Sequence, residues 1–429
     1  MLRAGFHVAD ITPPLGADIP GSLAPRRADG VSDPLKVRAA VLTSDRQALA
    51  IVGVDAVSLK TGDVMRARAE ATDLSGVPAD NIIVAASHTH TGGPSNDVLG
   101  TASDEHYREE IVRQIVGAVA EAERRAVPAE VAWASGRAEG LAWNRRWVLT
   151  DGSHETHADP ARPEVIERAG PSDPEVLVLA AREPKGRLLG LVANFTCHCT
   201  LAGGARFSAD YPGAWSDQLE RLTGAPLVFL NGAMGDVTQV NPLLDQPQRG
   251  EQAIRRFARK LAGETLKLLA DMQFTGEAPI ASACETLGID FRRPDADQLQ
   301  RDQETLAEAD DGDYSRQVVF ARERLALAEY IHRVGREPCE IICARVGDFA
   351  MASSPGQMFC RFGLDCKQRS PFEHTAFVSL ANGNAGYVPT AEAIEKGGYE
   401  PALCRGSKLV PEASERIVDA SIRLLEAIT

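Results

Sequence analysis

Short apolar runs rich in Val, Ile and Leu, separated by helical periodicity and each closing on small or polar residues, constrain this chain most strongly. In the first half they are AVLTS in the stretch after Lys36, ALAIVGVD ending at Asp55, and NIIVAAS from Asn81. Runs of this length and composition predict buried strands. Further strands are predicted at VLVLAAR from Val176, LLGLVANF ending at Phe195, and PLVFLN ending at Asn231. Helical patterns lie between them, over 62–71 and over 104–125, where Ile111, Ile115, Val116, Val119 and Ala122 share one apolar face. Such alternation predicts an α/β protein with a large mixed β-sheet core flanked by helices.

The stretch 251–272 reads as a long amphipathic helix, and SERIVDASIRLLEAI as a closing one. Between them, 295–335 is a charged helical insertion broken near Asp311 and Gly312. Its charges predict a solvated face and a role in packing, as a hairpin or lid without chemistry of its own. No internal repeat or Gly/Ser linker marks a boundary, so a single domain over 1–429 is expected.

Charge narrows the partners. Asp and Glu number 60 against 46 Lys and Arg, a formal net charge of −14. That excess repels phosphate backbones and anionic membrane surfaces, so no nucleic-acid partner is expected. No apolar run approaches the roughly 20 residues of a membrane span. The opening MLRAGFHVADITPP has no signal-like apolar stretch, which predicts a cytoplasmic protein. Eight cysteines without a CxxC pair fit reduced thiols better than a disulfide framework or structural zinc cluster.

The candidate chemistry sits where the apolar runs end, as strand ends in open α/β sheets gather polar loops. His88 and His90 in AASHTHTGGP are two residues apart, and in an extended chain both rings face one side. They read as two ligands, as a ligand beside a catalytic group, or as two loop histidines with ordinary hydrogen bonds. His198 follows the next strong strand, flanked by Cys197 and Cys199, which alternation sends to the opposite face. Asp210 and Tyr211 are placed to cap a helix or to orient a histidine. In FLNGAMGDVTQVNP, Gly232 and Gly235 permit a tight turn that brings Asn231, Asp236 and Thr238 toward one mouth.

Taken in order, ADITPP, SHTHTGGP, NRR at 144–146, NFTCHCT with SADYPG, NGAMGDV, SPGQMF and LANGNAGYVPTAEAIEKGGYE resemble the neutral/alkaline non-lysosomal ceramidase family, as a short bacterial-type member. The resemblance runs from about Gly5 to Glu400. It implies a zinc-dependent hydrolase of the N-acyl amide bond of a lipid-like substrate, an enzyme of sphingolipid metabolism. It implies His88, His198 and Tyr387 as zinc ligands, with Gln357 where the family carries a glutamate. His90, Arg145 and Tyr399 match residues that line the site and contact substrate. Thr238 stands where the family's GDVS segment has serine. Secreted members add a signal peptide and a C-terminal immunoglobulin-like domain, neither of which is expected in this chain.

These assignments predict zinc-assisted attack of water on an acyl carbonyl, with His90 relaying a proton and Arg145 or Tyr399 stabilising the oxyanion. Two alternatives accompany them. One is hydrolysis of an ester or lactone of a small polar metabolite, which the acidic composition favours. The other is a catalytically silent homologue that binds a small ligand, suggested by Gln357 and Thr238.

Overall fold

Side-chain parity along the strands shows how the core is assembled. The computed structural model describes residues 1–44 and 47–429. In the strands Lys36–Thr43, Ala48–Val54 and Ile82–Ala86, alternate residues divide between two cores. Val37, Ala39, Val41, Val52 and Val84 face the helices α1 (Thr61–Ser75) and α2 (Glu105–Arg124). Ala40, Leu42, Ile51, Ile83 and Ala85 face a central core instead. A strand with both faces covered needs a continuous apolar run, which is why these segments do not alternate with polar residues.

Two further sheets repeat the pattern. Strands Glu130–Arg137, Glu175–Arg182, Leu188–Phe195 and Leu227–Asn231 form the second. Its outer face packs on α3 (Asp210–Thr223) and α4 (Gly250–Asp271) through Tyr211, Trp215, Phe257 and Leu261. The third contains Ile280–Ile289, Glu337–Val346, Phe349–Ser353 and His374–Val378. The inner faces of all three sheets meet in the same central cluster, which includes Leu177, Leu179, Val192, Ile342, Phe349 and Val378. The expected α/β class is observed, with the mixed β core distributed over three sheets.

Each sheet contains one parallel pair among antiparallel neighbours. The pairs are Ala48–Val54 with Ile82–Ala86, Leu188–Phe195 with Leu227–Asn231, and Phe349–Ser353 with His374–Val378. The helices that cross between them are α1, α3 and α7 (Cys360–Arg369). Three β-α-β units thus recur in structure without a repeat in sequence.

The insertion 295–335 forms the helices α5 (Ala296–Glu308) and α6 (Arg316–Val334), broken where the sequence indicated. Asp302 of α5 accepts from Arg324 of α6 at 2.5 and 2.7 Å, which ties the hairpin together. The predicted helix over 104–125 begins with Asp104 as its cap, whose carboxylate accepts from the Tyr107 amide at 2.8 Å. A short helix, α8 (Ala391–Lys396), and the closing α9 (Ala413–Ala427) complete the chain. Among the described residues no helix is long and apolar enough to cross a membrane.

Candidate functional site

The loops that leave the three parallel pairs converge, and they carry the candidate residues. His88 and His90 follow Ile82–Ala86, His198 follows Leu188–Phe195, and Gln357 follows Phe349–Ser353. Tyr387 lies beside Gln357 in a short parallel pairing of Gly356–Met358 with Gly386–Val388. Asn231, fully buried, ties two of these loops. Its amide nitrogen donates to the carbonyls of Ser87 and Cys197, each at 3.0 Å. Asn231 therefore sits beneath the site and not at its mouth.

Three imidazoles meet there. The ring centroids of His88 lie 4.7 Å from His90 and 4.8 Å from His198. His88 is not extended as the spacing implied; its φ of 70° is left-handed. A residue with a Cβ in that region costs about 1–3 kcal/mol, a strain that functional sites tolerate where the surroundings hold it. The His88 amide donates to the Ala56 carbonyl at 2.9 Å and fixes this turn.

Backbone carbonyls set the tautomer of every ring. Nδ1 of His88 donates to Val57 at 2.7 Å, Nδ1 of His90 to Gly21 at 3.0 Å, and Nδ1 of His198 to Met234 at 2.7 Å. A carbonyl only accepts, so each Nδ1 carries the proton and each Nε2 presents a lone pair. The Nε2 atoms of His88 and His90 face each other across 3.2 Å. Nε2 of His198 and Oε1 of Gln357 are buried without a hydrogen-bond partner among the described residues. Burial holds His88 and His198 well below the usual histidine range and His90 at about 4, so all three are neutral near pH 7.

Such convergent lone pairs repel one another and lack donors, which a cation would cure. The ligand atoms of His88, His90 and His198 all lie within 4.8 Å of one another. Imidazole nitrogen is a ligand for several transition metals, zinc among them. The residues therefore fit a metal ion, with His90 closer to the ligand set than its expected catalytic role implied. Cys197 and Cys199 belong to the apolar core behind, as alternation indicated.

Arg145 adjoins Tyr387. Its guanidinium donates to Glu400 at 2.7 Å, to the Gly235 carbonyl at 2.8 Å and to the Tyr387 hydroxyl at 3.1 Å. It stands behind Tyr387, bordering a separate cavity of about 200 Å³ with Trp147, His157 and Arg168. Arg146 donates to the other oxygen of Glu400 at 2.7 Å. Burial alone would raise the Glu400 carboxyl, but Arg145 and Arg146 outweigh it and hold it below the ordinary value. Burial raises the Tyr387 hydroxyl, with Arg145 opposing.

Thr238 is also away from the cavity wall. Its hydroxyl accepts from the Val240 amide at 3.2 Å, while the carbonyl of its neighbour Val237 lies 2.9 Å from Nδ1 of His198. Asp236 accepts from Asn144 at 2.6 Å and from the Cys360 amide at 2.7 Å. Asp210 neither caps α3 nor touches a histidine; it accepts from the amides of Ala202 and Tyr211 at 2.7 and 2.6 Å. Tyr211 donates to the Cys197 carbonyl at 3.0 Å and so steadies the loop before His198.

Two glycines permit close approach. A Cβ on Gly235 would lie 2.5 Å from the Gln357 carbonyl oxygen, and one on Gly21 would lie 2.7 Å from Nδ1 of His90.

A cavity of about 420 Å³ opens over this floor, lined at its base by His88, His90, Gln357, Tyr387 and Tyr399. Burial pushes the Tyr399 hydroxyl above its ordinary value, so it is a donor at neutral pH. The insertion reaches the site after all: Phe320, Glu323, Tyr330 and Arg333 of α6 form one wall. Sequence reasoning missed Glu400, although it directly follows Tyr399 in the GGYE segment, and missed the α6 wall altogether.

No protein-family model and no curated protein matches the chain. Solved structures do. Neutral ceramidase from Pseudomonas aeruginosa superposes with a TM-score of 0.75 at 17% identity, over 99% of this chain and 74% of that one. A ceramidase complexed with C2 gives 0.74 at 17% identity, over 99% and 75%. Over nearly its whole length, the chain has the fold of neutral ceramidase.

Proposed function

We propose that this protein is a metal-dependent hydrolase of carbon–nitrogen bonds, a zinc amidohydrolase of the neutral ceramidase family. One observation carries the reading: three neutral imidazoles turn their unprotonated Nε2 atoms toward one point because backbone carbonyls hold every Nδ1 proton. The shared fold supports the same reading. His88, His198, Tyr387 and Gln357 would hold the ion. Zinc bound there supplies Lewis acidity, polarising an acyl carbonyl and readying water for attack near neutral pH.

The remaining steps belong to the chain's own groups. Arg145, fixed by Glu400, donates to the Tyr387 hydroxyl and so holds it in place. Tyr399, a protonated donor on the cavity wall, hydrogen-bonds the carbonyl oxygen as it gains charge. His90, neutral at Nε2, accepts a proton from the attacking water and passes it to the departing nitrogen. Water adds to the acyl carbon, the C–N bond breaks, and a carboxylic acid and an amine leave.

A second reading rests on Gln357, a neutral and weaker donor than a carboxylate. On that reading the cavity binds a small ligand without turnover. Zinc-loaded protein assayed against N-acyl amides, esters and lactones separates the two. Amide turnover lost in His88→Ala supports the hydrolase, whereas no turnover by wild type or by Gln357→Glu supports the silent homologue.

A further inference from the structure

Away from the histidines, the cavity wall sets several ion pairs among apolar residues such as Val57, Val98, Leu99 and Phe320. Lys60 meets Asp97 at 2.7 Å, Arg405 grips Glu323 through two contacts of 2.6 and 3.0 Å, and Lys408 lies 3.4 Å from Glu337. Tyr330 adds a hydrogen bond to Glu337 at 2.9 Å. Arg333 lies exposed on the same wall, its guanidinium 5.6 Å from the Tyr330 ring centre. These groups come from five separate parts of the chain: Lys60 after Val54, Asp97 after Ala86, Glu323, Tyr330 and Arg333 on α6, Glu337 at the start of the strand Glu337–Val346, and Arg405 and Lys408 after Tyr399.

A long alkyl chain lodged here would strip water from the partly exposed Lys60–Asp97 pair and from Arg333 and return no hydrogen bonds, which carries a desolvation cost. A hydroxylated or charged substrate replaces that water with its own polar groups. From the ion-paired wall we infer that the substrate is a small polar N-acyl compound, held by its hydroxyl or charged end against α6 and the 399–408 stretch. Helix α6 and the 399–408 stretch therefore set specificity together. This inference rests on the amide-hydrolase reading only for the bond that is cut; the recognition chemistry stands on the wall itself.

Binding and turnover are measured separately so that the two claims can fail independently. An N-acetylated amino sugar, an N-acetylated amino acid, a short-chain ceramide and a long-chain ceramide in mixed micelles serve as probes. Calorimetric affinity for the zinc-loaded protein should be at least about tenfold higher for one of the polar probes than for long-chain ceramide. The double variant Glu323→Leu/Arg405→Met keeps volume while removing charge, and should narrow or reverse that ratio. Lys60→Met, on another element, provides the same test should the double variant fold poorly. Tighter binding of long-chain ceramide than of every polar probe by wild type would overturn the inference. So would a ratio unchanged in both folded variants. Polar binding without hydrolysis would support the recognition chemistry and count against the hydrolase reading alone.

Discussion

The histidine floor and the Arg145–Arg146–Glu400 cluster both adjoin Tyr387, and they treat burial in opposite ways. Glu400 is fully buried, yet Arg145 and Arg146 at 2.7 Å and the Thr156 hydroxyl at 2.7 Å satisfy both its oxygens. That cluster is closed: both oxygens of Glu400 are satisfied within the protein, by two guanidinium groups and a hydroxyl. The floor is open. It buries imidazoles in the neutral state and leaves Nε2 of His198 and Oε1 of Gln357 without partners among the described residues. Unmatched polar atoms in a well-packed interior mark the place where something from outside completes the structure. A matched buried charge supports a neighbour; an unmatched lone pair awaits a ligand.

Disrupting the closed side should have the largest effect. Glu400→Ala leaves two buried guanidinium groups uncompensated and should lower unfolding free energy by about 3–5 kcal/mol in urea titration. A loss below about 1 kcal/mol would contradict the matched-charge description. On the open side, His88→Ala should reduce bound zinc from one per chain to near none by elemental analysis. Its kcat/KM for an N-acyl amide should fall about 10²–10³-fold, the scale of losing a main electrostatic stabiliser. Retained metal with unchanged turnover would place the chemistry elsewhere.

The pH dependence separates the regions again. His90 titrates at about 4 in the fold against 6.5 unfolded, so the unfolded chain binds its proton first as pH falls. Its contribution is present above pH 6.5 and is lost between about 6.5 and 4. Glu400 also has a depressed pKa, but as an acid its contribution is lost only as pH falls below the ordinary glutamate value. Asp33, Asp210 and Asp236, each raised to about 6 chiefly by burial, work in the other direction, favouring the fold as pH falls from 6 toward 4. Comparing metal-stripped wild type with His90→Gln removes those carboxyls from the difference. Between pH 7.5 and 5.0 wild type should lose about 2 kcal/mol more than the variant. Equal losses would mean that the ring titrates normally. The smallest effect should come from Gln357→Glu, which adds a carboxylate to the floor and should tighten zinc by about tenfold in chelator competition. Weaker zinc binding in this variant would remove Gln357 from the ligand set.

Much of this arrangement was legible in the sequence because it depends on local pattern. The apolar runs from Asn81 and to Phe195 are strands, and the loops after them carry His88 and His198. Their convergence with Gln357 and Tyr387 followed from motif order. What could not be read depends on partners far apart in the chain. Glu400 and Arg145 are separated by 255 residues, and no local signal shows that the carboxylate holds this guanidinium. The carbonyls of Val57, Gly21 and Met234 that orient the rings belong to the backbone, which composition does not describe. The α6 wall was missed because charges on an amphipathic helix look the same whether they face bulk water or a cavity. Asp210 was read as a cap from its position before a helix, yet its left-handed backbone, φ 57°, turns the carboxylate back toward Ala202.

The central claim is that the open floor is a metal site, and a crystal of zinc-loaded protein measured above and below the zinc absorption edge tests it most directly. The account predicts one anomalous peak within about 2.0–2.1 Å of Nε2 of both His88 and His198, absent in His198→Ala. No peak at that position, or a zinc ion bound only elsewhere on the molecule, would contradict it.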